Sequence, residues 1–232
     1  MSNIYLIPSL LAQEATETIP AYVLKAVEAC TVIFAENERT ARRFLKKINK
    51  DIVIDRFEWF SIHNREEAET INFRQKIKEN KNIAIISEAG CPGVADPGQK
   101  LVSIAQEMNC TVKPLVGPNA ILLALMASGL NGQQFEFCGY LPVENEKRVK
   151  KIKELETGSA KNHCTKIFIE TPYRNDQLLD AFLNHCKPSS RLCIAANLTA
   201  PQERIKTQSI ADWKKNKPQL NKQPVMFLLL AQ

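Results

Sequence analysis

Ile83-Ala84-Ile85-Ile86-Ser87-Glu88-Ala89-Gly90-Cys91-Pro92-Gly93-Val94-Ala95-Asp96-Pro97-Gly98 joins a short apolar run to a loop dense in glycine and proline. The run is β-branched and too short for a helix, so it reads as a buried strand ending at Ser87. The loop begins where the strand stops, and its glycines let the backbone take positive φ or approach a ligand closely. In an open parallel sheet, ligands bind just outside the carboxyl ends of the strands, which makes this loop the leading site candidate. An ordinary structured turn is the competing reading. Spacing narrows the chemistry: neither GxGxxG nor GxxxxGK[ST] occurs, so a pyrophosphate fingerprint and a P-loop are both excluded. A rigid Pro/Gly loop without lysine suits an uncharged or cationic ligand better than a triphosphate.

Working outward, further apolar runs alternate with amphipathic stretches. Ile4 to Ile7, Val32 to Ala35 and Val112 to Val116 read as strands, and Ile52-Val53-Ile54 as a weaker one. Ile19, Val23, Ala26, Val27 and Cys30 recur at helical spacing. So do Phe44, Leu45 and Ile48, then Ala68, Ile71 and Ile77, then Leu101, Ile104, Ala105 and Met108. The alternation predicts an α/β fold with a mainly parallel sheet covered by helices on both faces. Strand candidates in the second half are Phe135 to Cys138, Lys166 to Ile169, Leu192 to Ala196, Glu203 to Gln208 and Val225 to Leu230. Helical patterns there cover Glu146 to Glu156, Asp176 to Cys186 and Ile210 to Lys214. These predict a second α/β lobe with a mixed sheet. Gly117-Pro118 marks the boundary, giving domains 1–118 and 119–232.

The chain has 232 residues, 44% of them hydrophobic and 24% charged, an ordinary globular balance. No run approaches the roughly 18 apolar residues of a membrane span, and the first eleven residues lack the pattern of a secretory signal. A cytoplasmic protein is the expectation. Seven cysteines form no CxxC pair and read as reduced, mostly buried thiols. Residues 1–118 hold 15 basic and 15 acidic residues, so of the totals of 31 and 25 the second half keeps 16 and 10. That excess fits either a polyanion-facing lobe or simple solubility.

Seven of the eight glycines lie between Gly90 and Gly139. After the glycine loop, a second small-residue element, Val116-Gly117-Pro118-Asn119-Ala120, follows a strand and leads into the apolar stretch Ile121 to Ala127. Its short side chains leave room against a flat ligand, or it is a plain strand-to-helix turn.

Taken in order, these motifs resemble the tetrapyrrole (corrin/porphyrin) methylase superfamily, and within it the bacterial branch that methylates a cytidine ribose 2′-hydroxyl in small-subunit ribosomal RNA. Ser87 to Gly98 matches that branch's Ser-Asp-Ala-Gly-Thr-Pro-Gly-Ile-Ser-Asp-Pro-Gly, and Val116 to Ala120 matches Pro-Gly-Pro-Ser-Ala. The likeness continues through Ala127 to Leu130, Phe137 to Pro142, Glu170 to Arg174, Asn197-Leu198-Thr199 and the last strand. It implies a cleft between two α/β domains, S-adenosylmethionine as cofactor, methyl transfer as the reaction, no metal, and usually a homodimer. Carried over by motif, the cofactor-binding positions are Pro8, Glu88, Ala89, Gly90, Cys91, Pro92, Gly93, Val94, Pro118, Asn119 and Ala120. The second lobe adds Ile169, Glu170, Thr171, Pro172 and Leu198. Three departures stand out: Pro8-Ser9-Leu10-Leu11 for Pro-Ile-Gly-Asn, Glu36-Asn37-Glu38-Arg39 for Glu-Asp-Thr-Arg, and Glu88 for the family's aspartate. A tetrapyrrole-like acceptor, or cofactor binding without turnover, are the alternatives to an RNA acceptor.

Methyl transfer from a sulfonium needs mainly alignment of the acceptor. A hydroxyl acceptor also benefits from a carboxylate base poised by partial burial. Glu36 and Asp96 are the candidates, with Arg39 as the accompanying cation at the site. Glu36 reads equally as a helix N-terminal acid balancing Arg39, Arg42 and Arg43, and Asp96 as a turn residue before Pro97. Arg39, Arg42, Arg43, Lys46 and Lys47 either hold phosphates or form a solvated helix face. Arg174 either clamps an anion or pairs with Glu170. Trp59 and Phe60 either stack on a base or pack in a core or dimer contact, the packing reading being the stronger. His63, His163 and His185 lack zinc-ligand spacing.

Overall fold

Side-chain alternation along short strands accounts for the first sheet. The computed structural model describes residues 2–62 and 66–232, with the side chains of Glu66 and Glu67 left aside. It divides into two units, Met1–Asn119 and Ala120–Gln232. In the first, β1 (Asn3–Ile7), β2 (Val32–Ala35), β3 (Glu58–Ser61), β4 (Ile83–Ile86) and β5 (Thr111–Pro114) form a parallel sheet in the order β3-β2-β4-β1-β5. Because successive residues face opposite sides, Ile7, Ile33, Ala35, Ala84 and Ile86 point to one face. They meet Val23 and Val27 of α1 (Tyr22–Glu28) and Ala41, Phe44 and Leu45 of α2 (Glu38–Ile48). Ile4, Val32, Phe34, Ile83 and Ile85 point to the other face. There they meet Phe73 and Ile77 of α3 (Glu66–Lys78) and Leu101, Ile104 and Ala105 of α4 (Gln99–Glu107). The chain steps outward from β1 to β3 over one face and returns to β5 over the other, as right-handed crossovers require.

Two expectations are corrected in this unit. Ile52-Val53-Ile54 is not a strand: Ile54–Arg56 is a 3₁₀ turn, and the sheet's third strand is Glu58–Ser61. Phe60 stacks on Phe34, ring centroids 4.8 Å apart, and the Trp59 indole N–H donates to the Ile54 carbonyl. An edge strand with a half-buried pattern thus hides its apolar signal in two aromatic residues. In α3, Ile71 is solvent-exposed. It lies about 200° around the helix from Phe73, and Phe73 with Ile77 forms the buried stripe.

The second unit contains β6 (Phe135–Gly139), β7 (Thr165–Ile169), β8 (Arg191–Ala196), β9 (Arg204–Ser209) and β10 (Val225–Leu230), in the order β6-β7-β10-β8-β9. Only β6 and β7 pair parallel; the remaining pairs are antiparallel. One face packs Phe168, Ile194, Phe227 and Leu229 against α6 (Asn145–Asn162), α7 (Asn175–His185) and α8 (Ile210–Lys215). The apolar α5 (Ala120–Ser128) packs against β8, β9 and β10. Helix α6 runs past the Glu146 to Glu156 pattern and through Gly158, closing at His163 with φ 49°. All seven cysteines are free thiols. No helix among the described residues is long and apolar enough to cross a membrane.

Candidate cofactor site

Four loops leave the same edge of the parallel sheet, and backbone bonds join them. After β1, Ser9 and Gly90 exchange N–H···O bonds of 2.8 and 3.2 Å, and the Ser9 hydroxyl donates to the Ser87 carbonyl. After β2, the Glu36 amide donates to the Ile86 carbonyl at 3.1 Å. The Glu36 carboxylate in turn accepts the Glu88 amide at 2.9 Å. The loop after β5 approaches the glycine loop through Cys91, whose sulfur lies 3.5 Å from the Pro118 carbonyl oxygen. Parallel pairing aligns all these strand ends, so loops distant in sequence meet at one rim.

Glycine is required here for two different reasons. Gly90, Gly93 and Gly98 have positive φ, 76°, 80° and 113°, and Ala95 between them is held at 62° despite its side chain. At Gly117 the reason is space: a Cβ there would sit 2.1 Å from the Pro8 Cβ. The sequence shows the turn at Gly117 but not this contact, which depends on β1 and β5 being neighbours in the sheet. Around Gly93 a Cβ would meet nothing within 4 Å, so that part of the loop faces open space.

Electrostatically the rim is acidic. Asp96 is half-buried and its carboxyl is pushed up to about 6. Burial is the main cause and the negative charge of Glu36 the next; the Ser87 hydroxyl partly offsets them, and Glu88 adds a smaller push. Glu88 accepts the Thr40 hydroxyl at 3.4 Å, tying the start of α2 to the loop. Three carboxylates therefore gather at the ends of β2 and β4, and both charges that act on Asp96 are negative. Such a rim favours a cationic ligand.

The structure brings Pro8, Glu36, Glu88 to Val94, Asp96, Pro118 and Asn119 to this one edge, with Pro8, Gly90, Pro92 and Pro118 buried. Asn37, not Glu36, caps α2, accepting the Thr40 amide. Glu36 is thus engaged with the glycine loop through the Glu88 amide. Arg39 lies exposed in the first turn of α2. Ala120 opens α5 in the second unit. Ile169, Glu170, Thr171 and Pro172 end β7 and turn into α7; Glu170 accepts from Arg174 at 2.5 and 3.1 Å and from the Thr171 amide at 2.7 Å. Leu198 is buried between Asn197 and Thr199, which both hold positive φ, 54° and 66°. Strained non-glycine residues of this kind cluster at functional loops, a signal absent from the sequence. His163 and His185 sit at helix ends, and His63 lies outside the described residues. Among the described residues no group of three His, Cys, Asp or Glu side chains is arranged to hold a metal ion.

Comparison with known proteins agrees with this architecture. Residues 14–213 match the family model described as Tetrapyrrole (Corrin/Porphyrin) Methylases. Proteins named Ribosomal RNA small subunit methyltransferase I are similar along most of the chain. The one from Mesorhizobium japonicum is 30% identical over 89% of this chain and 67% of its own length. That from Vibrio cholerae is 29% identical over 90% and 69%, and that from Bacillus subtilis 35% over 78% and 59%. The chain thus spans 59% to 69% of the length of these relatives. Among solved structures, the methyltransferase CobJ has a TM-score of 0.64 at 17% identity, covering 99% of this chain and 93% of its own. The uroporphyrin-III C-methyltransferase of Thermus thermophilus, complexed with S-adenyl homocysteine, has a TM-score of 0.58 at 14% identity, covering 99% and 97%. At these identities the structures speak to the fold alone.

Proposed function

The chain belongs to the tetrapyrrole (corrin/porphyrin) methylase family and is by that membership an S-adenosylmethionine-dependent methyltransferase; from this premise we propose that its acceptor is a ribose 2′-hydroxyl of small-subunit ribosomal RNA. The observation that carries the reading is the acidic, glycine-built rim where the loops after β1, β2, β4 and β5 meet. Names of the ribosomal RNA relatives support the acceptor class. In this proposal the reaction takes place in the cytoplasm and the protein acts as a homodimer.

When bound, the cofactor supplies a methyl group already activated on a sulfonium. The chain's residues fit such a group: the positive-φ turn at Gly93 faces open space, and the carboxylates of Glu36, Glu88 and Asp96 complement a positive charge. In this reading Pro8, Glu88 to Val94, Pro118 and Asn119 hold the cofactor. Asp96 takes the acceptor hydroxyl's proton onto a carboxylate oxygen, its raised affinity for protons bringing it near working pH. Glu36 holds the loop through the Glu88 amide and keeps Asp96 proton-seeking through its charge. Arg39 is assigned to the acceptor's flanking phosphate.

Incubation with methyl-labelled S-adenosylmethionine and undermodified small ribosomal subunits tests the proposal. Label is expected in the RNA as a 2′-O-methyl nucleotide. Unlabelled RNA alongside a labelled uroporphyrinogen-like macrocycle, or cofactor binding without any turnover, would overturn it.

A further inference from the structure

Arg39, Arg43, Lys46 and Lys47 recur along α2 at intervals that return to one side of a 3.6-residue helix, and all four are exposed. The opposite side carries Ala41, Phe44 and Leu45, buried in the first unit's core. The helix has a single acid, Glu38, which pairs with Arg42 at 3.4 Å and accepts the Ser61 hydroxyl at 2.9 Å. Among the described residues Lys46 reaches only the Lys50 carbonyl, at 2.9 Å. No carboxylate among the described residues is paired with Arg39, Arg43 or Lys47. Counting charge by halves of the chain conceals this stripe, because acidic residues elsewhere in residues 1–118 balance it.

Position gives the stripe a direction. Glu36 lies one residue before Asn37, the cap of the helix, and Thr40, beside Arg39, donates to the Glu88 carboxylate. The cations therefore begin at the carboxylate rim and lead away from it for about 12 Å, eight residues at about 1.5 Å each. A ligand following them must have negative charges repeating along its length. We infer that this face of α2 is a track for the RNA phosphodiester backbone, with Arg39 nearest the acceptor nucleotide and Arg43, Lys46 and Lys47 along the strand leading from it. The inference rests on the RNA reading above and adds where the RNA lies. A membrane surface fits less well, since Phe44 and Leu45 are turned into the core and leave no apolar wedge beside the cations.

The track is tested on the full chain with Arg43→Gln/Lys47→Gln, which leaves the carboxylate rim and Arg39 intact. Lys150→Gln/Lys153→Gln, removing two exposed cations of α6, serves as the control. Binding of a fluorescein-labelled single-stranded fragment of small-subunit RNA is followed across salt concentrations, together with methylation of undermodified subunits and calorimetric titration of S-adenosylmethionine. Each lost phosphate contact reduces the salt slope by about 0.7 for a single strand, so the α2 variant is expected to lose about 1.4. Its KM for subunits should rise several-fold at constant kcat and cofactor affinity, while the control stays with the wild type. An α2 variant with wild-type slope and KM, or a control equally impaired, overturns the track while leaving RNA as acceptor. Wild-type protein that binds the cofactor but labels no RNA overturns the functional reading and the track with it. Loss of sedimentation with phosphatidylserine vesicles in the α2 variant, at unchanged RNA binding, assigns the stripe to a membrane and also overturns the track.

Discussion

Glu36 and Glu170 occupy equivalent places: each is the first residue after a strand, β2 in the first unit and β7 in the second. Their surroundings differ. Glu170 is 5% exposed and receives the Arg174 guanidinium and the Thr171 amide. Glu156, the other buried acid of that unit, receives the Ser190 hydroxyl and the Lys187 amide. Among the described residues Glu36 accepts one amide, from Glu88, and it faces Asp96 with a like charge. The second unit thus satisfies its buried carboxylates, as stability requires, while the first leaves three close together with the charges on Asp96 unbalanced. Unbalanced carboxylates of this kind mark a candidate site for chemistry or for a cationic ligand.

The same contrast extends to backbone, and breaking it there should have the largest effect. Gly117→Ala places a Cβ 2.1 Å from the Pro8 Cβ, and the neighbour is a rigid ring that cannot swing aside. The cost is expected to be about 3 kcal/mol or more, read as a lower urea midpoint at unchanged slope, with cofactor affinity lost alongside. A variant as stable as the wild type would show that the loops after β1 and β5 tolerate separation.

Next comes the paired acid of the second unit. Arg174→Ala leaves Glu170 buried with one amide donor. The full penalty for orphaning a buried charge is about 3–5 kcal/mol, and the partial exposure of Arg174 reduces the expectation to about 2 kcal/mol. A double variant, Arg174→Ala/Glu170→Gln, should recover part of it.

Asp96→Asn sharpens the comparison from the other side. The folded state holds this carboxyl at about 6, above its ordinary value of 3.8. Folded protein therefore retains a proton that the unfolded chain has lost between those pH values, and stability contributed by the group falls as pH rises through the window. At pH 7 the asparagine variant should be more stable by about 1 kcal/mol, a figure reduced for the group's partial exposure, and the difference should vanish below about pH 4. Activity should move oppositely. In the wild type kcat/KM is expected to fall below about pH 6, and the limb in kcat to lie lower, since a bound cation favours the ionised carboxylate. Asparagine should remove the turnover and keep cofactor binding. Retained turnover with an unshifted acid limb would exclude Asp96 as the base.

What could be read before the structure follows the same division. The parallel sheet announced itself through Ile4 to Ile7, Val32 to Ala35 and Ile83 to Ile86, because strands buried on both faces are continuously apolar. The glycine loop was equally visible, its positive φ values being a property of residue type. Glu58–Ser61 escaped as an edge strand whose core contacts are made by two half-buried aromatics, Trp59 and Phe60. Partnerships between distant residues were also hidden. The Glu36 carboxylate bonds the Glu88 amide 52 positions away, and the Gly117 approach to Pro8 depends on strand order. The strain at Asn197 and Thr199 left no mark, since neither residue type is reserved for positive φ.

The smallest predicted effect isolates composition from site. Gly158 lies within α6, its φ is not in the left-handed region, and a Cβ there would meet nothing within 4 Å. Unlike the glycines of the rim, it has neither a conformational nor a steric reason to be glycine. Replacing it with alanine reduces the unfolded chain's freedom and favours the helix, so Gly158→Ala is expected to stabilise by about 0.5 kcal/mol with kcat and KM unchanged. Thermal melts of this variant beside Gly117→Ala would put opposite signs on one substitution type. Destabilisation by Gly158→Ala would mean that a contact covers this turn of α6, and would remove the distinction between a glycine demanded by geometry and one merely tolerated by it.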